Sequence, residues 1–418
     1  MGEQRAEEVV RRIVAGEVHA AAARIGELTR RTPLLTSRGL SDACGGQVVL
    51  KAENLQRTGS FKLRGAAHRI SLLEDPSGVV AGSAGNHGQS LAYAARARGI
   101  PCEVFMPREA PVAKVAAVQA FGGTVDLGAD SVDEAVARAI TRTEQTGAAF
   151  VHPFDDPDVI LGQATLGLEL LEDVPDLDTV IVPIGGGGLI SGVAGAIKEA
   201  RPDTRVIGVQ AAACAAFPPS LADGTPQTIT PRAATIADGI AVKRPGETTL
   251  ALVRRWVDEV VVVDEDETAD AMVWLLERSK LVVEGGGAVG VAALLLGAVS
   301  PATHGATCVI LSGGNVDAGL LAQIAQRHEA TEGRRLRLLT RISDRPGALA
   351  ALLTSIARSG GNVVHADHVR EAAALHVRET AVEITLETRG PEHGTAIVTE
   401  LVAAGYQVQR LDPTWPAG

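Results

Sequence analysis

A chain of 418 residues is too long for one compact core of ordinary size and implies two or three folding units. With 46% hydrophobic residues, 46 Gly and only six Phe, three Trp and two Tyr, it has the composition of an α/β protein whose small residues let helices lie close to sheets. A net charge of -11 leaves no basic face for nucleic acid or anionic lipid, Arg334, Arg335 and Arg337 being the only dense basic run.

The opening MGEQRAEEVV is charged, which speaks against a signal peptide, and Ala6 lacks the hydroxyl of a myristoylation sequence. From about Gln47 to Leu311, short β-branched runs alternate with longer helical patterns, the signature of a parallel sheet built from βαβ units. Strands are expected at Val48 to Ala52, Val79 to Gly82, Glu103 to Met106, Thr124 to Leu127, Thr179 to Ile184, Val206 to Gln210, Glu259 to Val263 and Thr307 to Leu311. Helices are expected at Gly88 to Arg98, Asp133 to Thr146 and Ile190 to Ala200. The apolar run Gly285 to Ser300 is shorter than the roughly 18 residues of a membrane span and reads as a buried core helix. Cys44, Cys102, Cys214 and Cys308 form no CxxC pair, which argues against a zinc knuckle or disulfide framework and for reduced thiols in the cytoplasm.

The polar segment TEGRR, Thr331 to Arg335, marks a domain boundary, with one domain over 1–330, its smaller lobe at about 55–155, and another over 334–412. The second reads strand Arg335 to Arg341, helix Pro346 to Arg358, strands Asn362 to Arg370 and Glu379 to Thr388, helix Gly394 to Ala404 and strand Gln407 to Leu411. That is a βαββαβ unit, followed after Asp412 by a tail with two prolines that should fray.

Five motifs could carry chemistry. Thr58 to Gly65, TGSFKLRG, places Lys62 at the start of a helix with Ser60 as its cap. Such a lysine is usually a solvated surface charge; reactivity would need an amine of lowered pKa. Gly82 to Gln89 runs from a strand end into a helix, so that successive N–H groups can converge on a carboxylate with the Asn86 amide beside it. Ile184 to Gly192 puts four consecutive glycines at a helix N-terminus, a setting that favours a phosphate dianion. It lacks the GxGxxG pattern with an acidic ribose partner, since Gln210 ends the next strand, and it has no Walker lysine, so a dinucleotide is weakly supported. Glu284 to Ala288 and Leu311 to Asn315 are two further Gly-rich turns, each more often structural when taken alone.

Together the five resemble fold-type II pyridoxal-phosphate enzymes over roughly residues 20–325, most closely the threonine and serine dehydratase group. The resemblance implies two parallel-sheet lobes of the tryptophan synthase β-like kind, pyridoxal 5'-phosphate as cofactor and Lys62 as the Schiff-base lysine. It implies that Phe61 and Gly239 pack on the cofactor ring, Asn86 bonds its 3-hydroxyl, and Gly185, Gly186, Gly187, Gly188 and Leu189 cradle its phosphate. Ser312 would partner the pyridine nitrogen, Ser83 to His87 would hold the substrate carboxylate, and Glu284 would lie near the ring. The βαββαβ unit, with Asp344-Arg345-Pro346-Gly347-Ala348-Leu349 in its first turn, resembles an ACT domain, which implies an amino acid effector or a dimerisation role. The implied reaction removes water and ammonia from threonine or serine in a homodimer or homotetramer.

Ala84 stands where related serine racemases carry a second serine, which disfavours two-base racemisation. Residues 210–216, QAAACAA, offer no Asp or Glu where relatives hold a divalent cation, so no metal is expected there. Alternatives are β-elimination or β-replacement on another amino acid such as 3-hydroxyaspartate, whose extra carboxylate would need a cation such as Arg64 or His87. An amino-acid-sensing protein on an inactive lyase fold and an NAD-binding reductase are the remaining readings.

Overall fold

The computed structural model describes residues 2–230, 234–369 and 378–411 and divides into two compact units, Met1–Asp317 and Ala318–Gly418. The division falls ahead of the TEGRR segment, and the helix Ala318–Thr331 goes with the second unit rather than the first.

In the first unit, β1 (Leu34–Thr36) and β2 (Val48–Ala52) open a large sheet. A smaller all-parallel sheet follows from β3 (Val79–Gly82), β4 (Cys102–Pro107), β5 (Thr124–Ala129) and β6 (Ala149–Phe150), in the order β5-β4-β3-β6. The chain then returns with β7 (Leu177–Pro183), β8 (Arg205–Ala211), β9 (Glu259–Val263) and β10 (Ala306–Leu311), giving the large sheet the order β1-β2-β10-β7-β8-β9. Only β1 runs antiparallel in it. Every residue of β2 and β10 is buried, which is why these strands are mainly apolar, Lys51 in β2 excepted: helices cover both faces of a parallel sheet. Each fully buried Val or Ile there contributes roughly 1.5–3 kcal/mol.

Two helices not foreseen from the sequence, Gly2–Val14 and Glu17–Ile25, precede the sheets; Ala6, Val9, Val10 and Ile13 bury one face of the first against Ile160 and Leu161. Another, Pro157–Asp173, starts from Asp156, whose carboxylate accepts the Asp158 and Val159 N–H groups. The apolar run after Glu284 forms the buried helix Gly285–Leu295, and no helix among the described residues is long and apolar enough to cross a membrane. The helix carrying Lys62, Lys62–Ser71, corrects one expectation: Phe61, not Ser60, is its N-cap, and the Ser60 hydroxyl is buried with no partner among the described residues. Backbone pairing fixes this helix start instead, through a Ser60–Gly313 bridge and the Phe61 N–H donating to the Ser312 carbonyl at 3.0 Å.

The second unit is antiparallel throughout, with β11 (Arg335–Ser343), β12 (Asn362–Val369), β13 (Glu379–Glu387) and β14 (Val408–Arg410) in the order β12-β13-β11-β14. Helices Ala348–Arg358 and Pro391–Ala403 complete the ferredoxin-like βαββαβ arrangement. β11 alternates buried Leu336, Leu338, Thr340 and Ile342 with outward Arg337 and Arg341, the pattern of a sheet covered on one face. Arg370 and the tail from Asp412 lie outside the described residues.

Candidate active site

Parallel sheets present ligand-binding loops at the carboxyl ends of their strands. Here the ends of β2, β3, β6, β7 and β10 lead into the segments containing Lys62, Ser83 to His87, His152 to Phe154, Gly185 to Gly188 and Ser312.

The Lys62 amine donates to the Pro153 carbonyl at 2.8 Å and lies 5.2 Å from the centre of the Phe61 ring. Although Lys62 keeps some solvent contact, the protein packed around its amine pushes its pKa down to about 8, against a smaller upward pull from Glu284. Burial drives Glu284 the other way, up to about 7, with Asp238 adding repulsion and the Asn86 amide and Lys114 opposing. Asn86 Nδ2 donates to Glu284 Oε1 at 2.7 Å, and Asn86 Oδ1 accepts from Asn315 Nδ2 at 2.8 Å. A Cβ on Gly239 would lie 2.9 Å from Glu284 Oε1, which places that exposed glycine beside the same carboxylate. Lys62, Asn86, Gly239 and Glu284 are thus gathered in one place.

Ser83 Oγ accepts from the Gly85 and Gly88 N–H groups, both at 3.3 Å, and so shapes the turn that opens the helix Asn86–Ala97. His87 anchors that turn from below. It is buried with Nε2 donating to the Val151 carbonyl at 2.8 Å, and burial, helped by the Lys62 charge, holds it neutral with a pKa down to about 3. A neutral donor so engaged supplies no cation for an extra substrate carboxylate, nor does Arg64, which is buried between Glu53 and Glu169.

The four glycines leave β7 and enter the helix Gly188–Ala200 through Gly187, whose φ of 95° is left-handed. A Cβ on Gly186 would fall 2.4 Å from the Phe154 ring, and Phe154 closes over the loop. Thr249 Oγ1 donates to the Gly186 carbonyl at 2.7 Å, fixing the loop from its other side. Ser312 is buried, its hydroxyl donating to the Gly286 carbonyl at 3.3 Å while its lone pairs stay available.

A family profile described as pyridoxal-phosphate dependent enzyme matches residues 25–313. The chain belongs to this family. It is 44% identical to the L-threonine ammonia-lyase of Thermotoga maritima over 400 residues, 95% of this chain and 99% of that protein. A threonine deaminase from T.th. matches with a TM-score of 0.69 and 41% identity, over 72% of this chain and 98% of that one. Maize serine racemase gives a TM-score of 0.69 and 39% identity, over 75% of this chain and 97% of that one.

As a pyridoxal-phosphate dependent enzyme the chain must hold a phosphate, an aromatic ring and an aldehyde, and its own residues fit. The helix after the glycine loop offers first-turn N–H groups that have no intrahelical acceptor. Ser191 Oγ in the same helix and Ser60 Oγ near Lys62 are buried with no hydrogen-bond partner among the described residues, the kind of orphaned polar atom a bound polar group relieves. Lys62 provides an amine near neutrality.

Sequence reasoning missed several participants. Asn315 ended a motif already noted, and its Asx position after Gly-Gly was the available signal; it also donates to the Thr58 carbonyl at 2.8 Å. His152, Pro153 and Phe154 had none, because their place follows from β6 being two residues long. His152 Nδ1 accepts the Asp155 N–H at 2.8 Å and the Phe154 N–H at 3.2 Å, and burial with the nearby Lys62 charge takes its pKa down to about 4. Gln210 spends its side chain on backbone, accepting from the Phe217 N–H at 2.9 Å.

Proposed function

We propose that this enzyme eliminates water from L-threonine, and from L-serine as a second substrate, and that the enamine released tautomerises and takes water back as it loses ammonia, so that the net change is deamination to 2-oxobutanoate or pyruvate. The observation that carries the reading is the Lys62 amine, brought near neutrality within a cleft that also holds the Asn86–Glu284 pair and the glycine loop. The 44% identity to a relative named L-threonine ammonia-lyase, extending over 95% of the chain, supports the choice of reaction.

Bound pyridoxal phosphate supplies the electron sink that makes the amino acid's Cα–H acidic. The chain's residues do the rest. Gly185 to Leu189 would hold the phosphate at the helix N-terminus, Phe61 and Gly239 would confine the ring, and Ser312 would face the ring nitrogen with a neutral hydroxyl. Asn86, held by Glu284 and Asn315, would face the ring oxygen. The turn from Ser83 to His87 binds the substrate carboxylate through backbone N–H groups, with Ser83 and His87 holding its shape. Lys62, as a neutral amine, would take the Cα proton, which balances the proton the β-hydroxyl must gain to depart as water, and the enamine left behind would lose its nitrogen as ammonia on hydrolysis. A β-hydroxy side chain without charge suits this cleft: Arg64 is committed to Glu53 and Glu169, and Lys114, whose charge reaches Glu284, is paired with Asp238. Ala84 in the turn leaves the face opposite Lys62 without a hydroxyl base from that position, which favours lyase over racemase chemistry.

The second unit is read as a module for an amino acid effector, and the enzyme as a cytoplasmic homodimer or homotetramer. Purified protein given pyridoxal phosphate should show the visible absorbance band of lysine-bound cofactor, absent in Lys62→Ala. It should form ketoacid faster from threonine than from serine or 3-hydroxyaspartate. A band without ketoacid would redirect the reading to β-replacement, and no band would refute it.

A further inference from the structure

A second constellation of charge lies behind Lys62 and takes no part in the chemistry above. Arg64, 1% exposed, is clasped by two carboxylates. Its Nε and Nη2 donate to Glu53 at 2.9 and 2.8 Å, and its Nη1 and Nη2 donate to Glu169 at 2.7 and 3.0 Å. Lys51, fully buried, reaches Glu169 at 2.7 Å and Asp173 at 3.0 Å and donates to the Thr32 carbonyl at 2.9 Å. Burial acts to raise the Glu53 carboxyl, but Arg64, Thr32 and Lys51 together hold its pKa below the ordinary value. Networks of this kind add little stability over well-packed apolar side chains, because desolvation cancels most of the attraction. What a bidentate, fully satisfied arginine does fix is geometry.

The geometry it fixes bears on the reactive amine. Lys62 opens one helix, and Arg64 sits two residues further along it. Glu169 is on the helix Pro157–Asp173, and Pro153, which accepts from the Lys62 amine, lies just ahead of that helix. The two helices meet where no side chain fits: a Cβ on Gly162 would be 2.6 Å from the Arg64 carbonyl oxygen. His68 Nδ1, 2.7 Å from the Asp158 carbonyl, adds a further tie between them. Sliding one helix along the other would therefore have to break the Arg64–Glu169 bonds and would move Lys62 relative to Pro153.

We propose that Arg64, with Glu53 and Glu169, is a positioning device that locks the register of these helices and so sets the place of the Lys62 amine. The catalytic importance of that placement rests on the function proposed above. The test is the double variant E53M/R64M, in which both charges of the deepest pair go together while Glu169 keeps Lys51. Two properties are read: the pH dependence of Lys62 acetylation by acetic anhydride in cofactor-free protein, followed by mass spectrometry, and steady-state turnover of threonine by holoenzyme. In a folded variant the Lys62 inflection should rise, and kcat should fall on the order of 10- to 100-fold with KM within about threefold of wild type. E169Q, which leaves the Glu53–Arg64 pair intact, should shift both in the same direction by less, and it decides the matter if the double variant does not fold. A folded variant with the wild-type inflection and kcat would overturn the proposal and leave the network a structural element. Wild-type protein that makes no ketoacid, with the inflection still shifted in the variants, would refute the reaction and keep the positioning role.

Discussion

Lys62 can be interrogated without substrate or cofactor. A solvated lysine of pKa 10.5 is neutral in about one molecule in three thousand at pH 7, whereas one at about 8 is neutral in about one in ten, a roughly 300-fold difference in free amine. In cofactor-free protein, Lys62 should therefore already be acetylated at pH 7, with an inflection near 8. Glu284 supplies the second half of the experiment. Ionised above its own pKa of about 7, it pulls the Lys62 pKa upward, so Glu284→Gln must lower the inflection below that of wild type. The amide keeps an oxygen to accept from Asn86 Nδ2, which limits rearrangement of the cleft. Competitive acetylation across pH 6–11, read on the Lys62 peptide, measures both values. An inflection at the ordinary lysine value, or one that rises in Glu284→Gln, would refute the account of how burial and Glu284 oppose each other here.

Two further outcomes follow from the same geometry. Gly187→Ala would place a Cβ 2.7 Å from Phe217 Cζ and 2.8 Å from Thr249 Cβ on a backbone at φ 95°, combining left-handed strain with overpacking. A loss of about 2–5 kcal/mol in urea unfolding is expected, together with weaker cofactor retention on gel filtration; unchanged values for both would mean the loop adapts freely. Glu284, with a folded pKa raised from 4.5 to about 7, contributes stability that is full below 4.5 and lost as pH rises through 7. Glu284→Gln should therefore lie within about 1 kcal/mol of wild type at pH 5 and exceed it by roughly 3 kcal/mol at pH 8.5, and an equal difference at both pH values would count against a buried, reluctant carboxylate.

How much of this was legible depended on whether the signal was local. β2, β7 and β10 could be read because a strand covered on both faces is mainly apolar along its length, Lys51 in β2 being tolerated only through its ion pairs with Glu169 and Asp173. Lys62, Asn86 and the four glycines stand out in the sequence because each lies at a helix start in a segment following a strand, where turn residues announce themselves. The helix Pro157–Asp173 could not: every residue from Val159 to Gly167 is buried, so it has no polar face to reveal a helical period. The helix Gly2–Val14 does carry a local signal that went unread, its buried Ala6, Val9, Val10 and Ile13 following the spacing of an amphipathic face.

The site residues divide in the same way, and the division has a physical meaning. Groups that meet a ligand through backbone N–H need Gly, Ser or Asn at a strand end, and those residue types stand out along the chain. Groups that position Lys62 act across long separations: Pro153 is 91 residues from it, and Glu169 is 105 from Arg64. Their residue types are ordinary in isolation, since a carbonyl belongs to every residue and Arg and Glu are usually surface charges. Only the packing of two helices at Gly65 and Gly162 turns them into partners of the reactive amine. A short sequence motif can therefore single out Lys62, while the burial that brings its amine near neutrality, and the ties between the two helices, reside in contacts no short stretch of sequence contains.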